Sequence, residues 1–251
     1  MKVIDQKRVI YDSDMEFYQH QAHRSNPHDK NRLVTGRNAE LLHFLFCGGQ
    51  LPHTYPAVMR ENPCFATDIR FLDVGCRDGW SLDYVNNGCP KWGTNLFTKR
   101  KKYLNTTGIE LIHETVEYAR KKRRNVIELD IRKSILEGEL FDVIYTRHCL
   151  EHIDEPLNAL RNIAKMLRKG GTLLAVVPKE EKCLTLDRGN HSYLFREDNE
   201  LADMVEQAGL RVTHNIVRKA YWYRKRKYWY KLRAKLRCWG PELCVLATKK
   251  V

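Results

Sequence analysis

From Asp68 onward, short β-rich runs alternate with amphipathic helical ones, and that alternation limits the fold more than any other feature of the chain. The strand candidates read IRFLDV, TTGIEL, NVIEL, FDVIYT and TLLAVV. Helical stretches lie between them, near Ser81–Asn86, His113–Lys122, Pro156–Leu167 and Asp198–Gln207. The clearest is LNALRNIAKMLRKGG, with Leu157, Leu160, Ile163, Ala164 and Leu167 on one face and Gly170-Gly171 as its stop. Such alternation predicts an α/β fold, a mostly parallel sheet with helices on both faces. Residues 1–67 are irregular, punctuated by Asn26-Pro27, Gly48-Gly49, Pro52, Pro56 and Pro63, with one amphipathic helix expected around Arg37–Phe46. They read as an N-terminal cap or substrate region, ahead of a main domain over 68–251.

Charge is unevenly placed. The 251 residues carry a net charge of +13. Residues 211–251 alone hold 13 Lys or Arg against one acid, so almost all of it sits there. The rest is a near-neutral body, and the hydrophobic content of the whole chain, 43%, is ordinary and excludes a disordered chain. No signal-peptide core opens the sequence, and no apolar run approaches the ~20 residues that span a bilayer. The 8 cysteines contain no Cys-x-x-Cys pair, so no metal is expected and reduced thiols in the cytoplasm are the simplest reading.

The turn FLDVGCRDGW follows a strand and opens a helix, where glycines let a ligand approach the backbone. Gly75 and Gly79 are four apart, which fits neither the dinucleotide fingerprint nor a P-loop. Asp73-Val74-Gly75-Cys76-Arg77-Asp78-Gly79 resembles the first motif of the class I S-adenosylmethionine-dependent methyltransferases. Further runs resemble that family in order: GIEL, ELDI, FDVIYTRHCLEHIDEP, LRKGGTLLAVVP, HSYLFREDNELADMVEQAGLRV and PELCVLATKK. They are most similar to its ubiquinone-biosynthesis-like, small-molecule branch.

The resemblance implies a Rossmann-like fold with a seven-stranded, mostly parallel sheet. It implies S-adenosyl-L-methionine as cofactor, held at Asp73, Gly75, Cys76, Arg77 and Gly79. Glu110 is implied for the ribose hydroxyls, Asp130 and Ile131 for the adenine, and Arg147 as a further contact. A carboxylate at a strand end suits a pair of ribose hydroxyls because it accepts both in charge-assisted bonds. The chain departs from the pattern twice. Arg77 stands where the family prefers glycine, and residues 86–105 lengthen the interval before Glu110.

Methyl transfer is an in-line displacement that needs a base only where the acceptor must lose a proton. His148 and His152 follow the fourth strand, where the family places acceptor-facing residues. Imidazole titrates near neutral pH, which suits a base, and His191 in the GNHSY segment is a third candidate. Against these stand structural readings: the histidines orient the loop, and Asp154 caps the helix at Pro156.

Residues 218–239 interrupt the last two strands with RKAYWYRKRKYWYKLRAKLRCW, a basic aromatic insert. Three readings compete: a helix at an anionic membrane interface, a surface that stacks on bases and binds phosphates, or aromatics packed on the domain beneath solvated cations. The sequence is thus read as a methyltransferase of a small-molecule, sugar or lipid-linked glycan acceptor, methylating oxygen. It is cytoplasmic in this reading and peripheral at the inner membrane surface. An RNA methyltransferase and an inactive, binding-only relative remain the alternatives.

Overall fold

The computed structural model describes residues 2–4, 8–10, 69–87, 104–180, 191–218 and 241–250. The N-terminal cap, the helix at Arg37–Phe46 and the basic aromatic insert beyond Arg218 lie outside the described residues, apart from a two-strand hairpin of β1 (Lys2–Ile4) and β2 (Arg8–Ile10).

The main body runs β3 (Ile69–Val74), α1 (Trp80–Asn87), β4 (Leu104–Glu110), α2 (His113–Lys121), β5 (Val126–Glu128), β6 (Phe141–Arg147), α3 (Pro156–Met166), β7 (Leu167–Pro178), α4 (Glu200–Gln207), β8 (Leu210–Arg218) and β9 (Glu242–Lys249). The seven strands from β3 to β9 form one sheet in the order β5-β4-β3-β6-β7-β9-β8. β3 to β7 pair in parallel, while β9 runs antiparallel to both its neighbours. The Rossmann-like architecture expected from the sequence is the one observed.

The two-residue period of the strands divides the core between the faces. On one face Leu173, Ala175 and Val177 of β7 meet Leu160 and Ile163 of α3 and Leu201 and Val205 of α4. On the other, Leu174 and Val176 join Leu82 and Val85 of α1 and Val116 and Ala119 of α2. Both faces of β7 are therefore apolar, which is why TLLAVV carries no polar alternation.

The helix boundaries fall within about two residues of the expectation, and the one that matters for the sheet is the junction of α3 and β7. The helix predicted through Leu167 ends at Met166, and Leu167 is already extended, paired with Phe141 of β6. An apolar residue there satisfies both the helical and the strand period. The Lys249 ammonium at the end of β9 donates to the Ala164 and Leu167 carbonyls, 2.8 Å each, and so satisfies the freed helix terminus.

Strand order reverses between β4 on one side of β3 and β6 on the other. A sheet of this kind opens its crevice at such a point, beyond the carboxyl ends of the strands. The turns after β3, β4 and β6 all lie there.

Candidate active site

The turn after β3 is held by the next strand. The Gly75 and Cys76 amides both donate to the Ile109 carbonyl, at 2.9 and 3.1 Å. Gly75 and Gly79 are left-handed, each at φ 73°, and so is Arg77 between them at φ 50°. A side chain at Gly75 has no room, since its Cβ would lie 2.6 Å from the Cys149 sulfur. That contact sets the turn after β6 directly against the turn after β3.

Arg77 occupies a conformation that costs a residue with a Cβ about 1 kcal/mol relative to glycine. Its amide still donates to Glu110 Oε2 at 2.9 Å, a bond any residue can make. Arg77→Gly is therefore expected to raise the thermal midpoint by a few degrees, read by calorimetric unfolding. A midpoint at or below that of the parent would show that the Arg77 side chain stabilises the turn.

Carboxylates gather around this turn. Asp73 is buried and accepts a hydrogen bond from Ser81 Oγ. Burial pushes its pKa up from 3.8 to about 7, with Glu110 and Asp78 adding to the rise against the Ser81 bond. Glu110 Oε1 accepts from the Leu111 and Ile112 amides at 2.8 and 3.2 Å. Burial raises Glu110 too, and the three amides oppose it. Asp78 Oδ1 accepts from the Trp80 amide at the start of α1. Arg124 ties Asp78 to Asp83 of that helix, 2.6 Å from Asp83 Oδ2. An acidic, backbone-lined cradle of this kind suits a cationic ligand that also offers hydroxyls.

The remaining cofactor candidates are placed differently. Asp130 receives the Arg132 guanidinium, at 2.8 Å from Nη2, and the Arg132 amide at 3.0 Å. Ile131 is buried in the core, and its carbonyl accepts from Asn162 at 2.8 Å. Arg147 pairs with Glu242 of β9 at 2.6 Å, both side chains buried. Its guanidinium thus meets the carboxylate two strands away. The expected Asp154 cap of α3 is corrected: Glu155 is the residue before the helix and makes no side-chain cap. Pro156 supplies no amide, and Asp154 instead lies 3.7 Å from Arg132 and accepts from the Glu155 amide.

The three histidines come together. His148 is left-handed at φ 52°. Its amide donates to Val176 of β7, and its Nε2 lies 3.0 Å from Glu242 Oε1. A 3₁₀ turn over Leu150–His152 then buries Glu151 and half-exposes His152. The Glu151 carbonyl accepts the Ser192 and Tyr193 amides, at 2.8 and 3.0 Å, which brings His191 onto the same turn. The His152 and His191 rings meet edge to face, 5.0 Å between centroids, and His191 Nδ1 lies 2.8 Å from Glu180 Oε2.

Sequence reasoning missed Glu151, Glu180 and Glu242. Glu242 carried a signal, being the one acid among the 13 cations of residues 211–251.

A family model described as "Methyltransferase domain" matches residues 18–215. A ubiquinone biosynthesis O-methyltransferase of Parvibaculum lavamentivorans is 26% identical over 166 residues, covering 58% of this chain and 60% of that protein. One from Xanthomonas campestris pv. campestris is 29% identical over 164 residues, covering 57% and 63%. The chain thus spans under two thirds of the length of these two relatives. Among solved structures, the N-methyltransferase NodS of Bradyrhizobium japonicum, in complex with S-adenosyl-L-homocysteine, superposes with TM-score 0.57 at 17% identity, covering 93% and 98%. A SAM-dependent methyltransferase of Thermotoga maritima gives TM-score 0.57 at 19% identity, covering 93% and 100%. At these identities the two structures share the fold.

Proposed function

The chain belongs to the class I S-adenosylmethionine-dependent methyltransferases, and from that premise we propose that it methylates a hydroxyl oxygen of a small-molecule, sugar or lipid-linked glycan acceptor. The observation that carries this reading is the contact of two turns. Cys149 packs on Gly75, so the turn that carries His148 one residue earlier lies against the glycine turn.

S-adenosylmethionine supplies an electrophilic methyl group on a sulfonium. The cradle of Asp73, Glu110 and the Gly75–Gly79 backbone is assigned to hold it, because those groups offer negative charge and close backbone approach. His148 is assigned the acceptor's proton. Its Nε2 is engaged by Glu242, which leaves Nδ1 as the atom that accepts. With the cofactor held there, the acceptor oxygen would bond the methyl carbon as the carbon–sulfur bond breaks and its electron pair returns to sulfur; the oxygen–hydrogen pair would stay on oxygen and the proton would pass to His148. Removing it during transfer is worth about 10²–10⁴-fold in rate. The rest of the acceleration comes from alignment, with donor and acceptor held in line across the two turns. The O-methyltransferase relatives support oxygen as the methylated atom.

Two measurements test this. Calorimetric titration with S-adenosylhomocysteine is expected to give one site per chain, and no binding at millimolar ligand would overturn the premise of activity. A screen of hydroxylated acceptors, with the labelled methyl group followed into product, is expected to yield O-methyl ethers. Label found only on nitrogen, or only on RNA, would replace the reading.

A further inference from the structure

We propose that a cavity at the foot of the sheet, remote from the candidate active site, binds a phosphate group. It measures about 370 Å³, and among the described residues Gly170, Arg211, Thr248, Lys249 and Lys250 line it.

The topology places it. β9 runs antiparallel to β7 and β8, so its last residues pair with their early ones, Thr248 with Thr172 and Arg211, and Lys249 with Leu210. The candidate active site lies at the other end, where Glu242 opens β9 opposite Pro178 and meets His148. Glu242 and Thr248 are six residues of extended chain apart, about 20 Å. Directly paired residues share a face of the sheet. Arg211 and Thr248 therefore stand side by side, and Lys250 follows two residues on, just past the end of β9.

Charge supplies the chemistry. Elsewhere at these strand ends the cations are matched, Arg70 with Glu139 and Arg168 with Asp142. Arg211, Lys250 and Lys169, the neighbour of Gly170, are exposed, and among the described residues no acid pairs with them. Lys249 directs its ammonium at the carbonyls that end α3, which leaves Arg211 and Lys250 to face a ligand. Like charges gathered without an acid repel one another, and an anion set between them removes that cost.

Phosphate fits this set better than a carboxylate does. A phosphomonoester carries about −1.5 to −2 at pH 7, which matches two cations. The planar Arg211 guanidinium can take two phosphate oxygens at once, Lys250 adds a point charge, and the Thr248 hydroxyl can donate to a third oxygen. Gly170 is left-handed at φ 74°, and a Cβ built there meets nothing within 4 Å, so bare backbone borders the cavity. The volume exceeds what one phosphate fills, so the phosphate comes attached to a small organic group or to a lipid.

The test titrates the full chain calorimetrically with inorganic pyrophosphate at about 0.15 M salt, where diffuse attraction to a basic protein is screened. One site per chain is expected, with a Kd at or below about 1 mM. Arg211→Gln and Lys250→Gln are each expected to weaken it about 10-fold, with folding checked by circular dichroism. Lys121→Gln removes an exposed charge outside the cavity and is expected to leave binding unchanged. S-adenosylhomocysteine affinity is expected to stay within about twofold of the parent in all three variants. Sedimentation with phosphatidic acid or phosphatidylcholine vesicles separates the sources of the phosphate. Retention by phosphatidic acid alone, released by pyrophosphate, identifies a lipid headgroup. Pyrophosphate binding without retention identifies a soluble phosphate compound. Pyrophosphate binding that neither Arg211→Gln nor Lys250→Gln weakens, or that Lys121→Gln weakens as much, overturns the proposal. So does the absence of binding at about 10 mM pyrophosphate.

Discussion

Replacing His148 by asparagine is expected to lower turnover by about 10²–10⁴-fold while leaving S-adenosylhomocysteine affinity within about twofold. Asparagine is the informative choice because His148 sits at φ 52°, where asparagine is at home and alanine is not. His148→Asn removes the base without straining the backbone, so a loss of rate reports proton transfer rather than a distorted turn. Cofactor affinity is spared because the cradle around Asp73 and Glu110 is built from other residues. Single-turnover methylation and calorimetry measure the two quantities separately. Turnover within about threefold of the parent would assign His148 a purely structural role.

The second large effect concerns Asp73. Its pKa is about 7 in the folded protein against an ordinary 3.8. A raised folded-state value means the native state holds the proton longer than the unfolded chain does. The contribution to stability is therefore full below pH 3.8 and is lost as pH rises through about 7. A shift of this size corresponds to roughly 4 kcal/mol at alkaline pH. Asp73→Asn keeps an acceptor for the Ser81 hydroxyl and removes the ionisation. Urea unfolding at pH 5 and pH 8 is expected to show the variant gaining about 3 kcal/mol more on the parent at pH 8 than at pH 5, because part of the loss has already occurred by pH 5. Equal gains at both pH values would show that Asp73 does not titrate in this range. The same substitution is expected to weaken the cationic cofactor, whose charge favours the ionised acid. On the proposed reading, Asp73 lowers the stability of the protein at alkaline pH and its charge would favour the cofactor, a common cost of functional sites.

Much of the fold was legible because two periods are written plainly in the sequence. The strands are β-rich runs, TLLAVV apolar on both faces, and the helices carry one apolar face each. Where a residue satisfies both patterns the sequence is ambiguous, as Leu167 shows. The glycine turn was legible as a motif, and so was Arg77 as its exception. That Arg77 adopts the glycine conformation was not, since nothing in its neighbours encodes a positive φ. The histidines were found one by one. Their meeting was not, because His191 reaches His152 only through backbone bonds to the Glu151 carbonyl. Glu151 stood unmarked within FDVIYTRHCLEHIDEP, because nothing in the sequence announces its burial. Asp154 was misassigned because a cap and an ion pair call for the same side chain, and Arg132 decided between them.

β9 comes last among the described strands, yet it lies inside the sheet between β7 and β8. A ribosome therefore makes both neighbours before the strand that joins them. Until residues 242–249 leave the exit tunnel, the nascent sheet has a slot flanked by two unpaired edges, the kind of surface that chaperones guard. Through the same interval His148 and Arg147 have no Glu242 to meet. Filling the slot and bringing Glu242 to His148 and Arg147 are therefore one event.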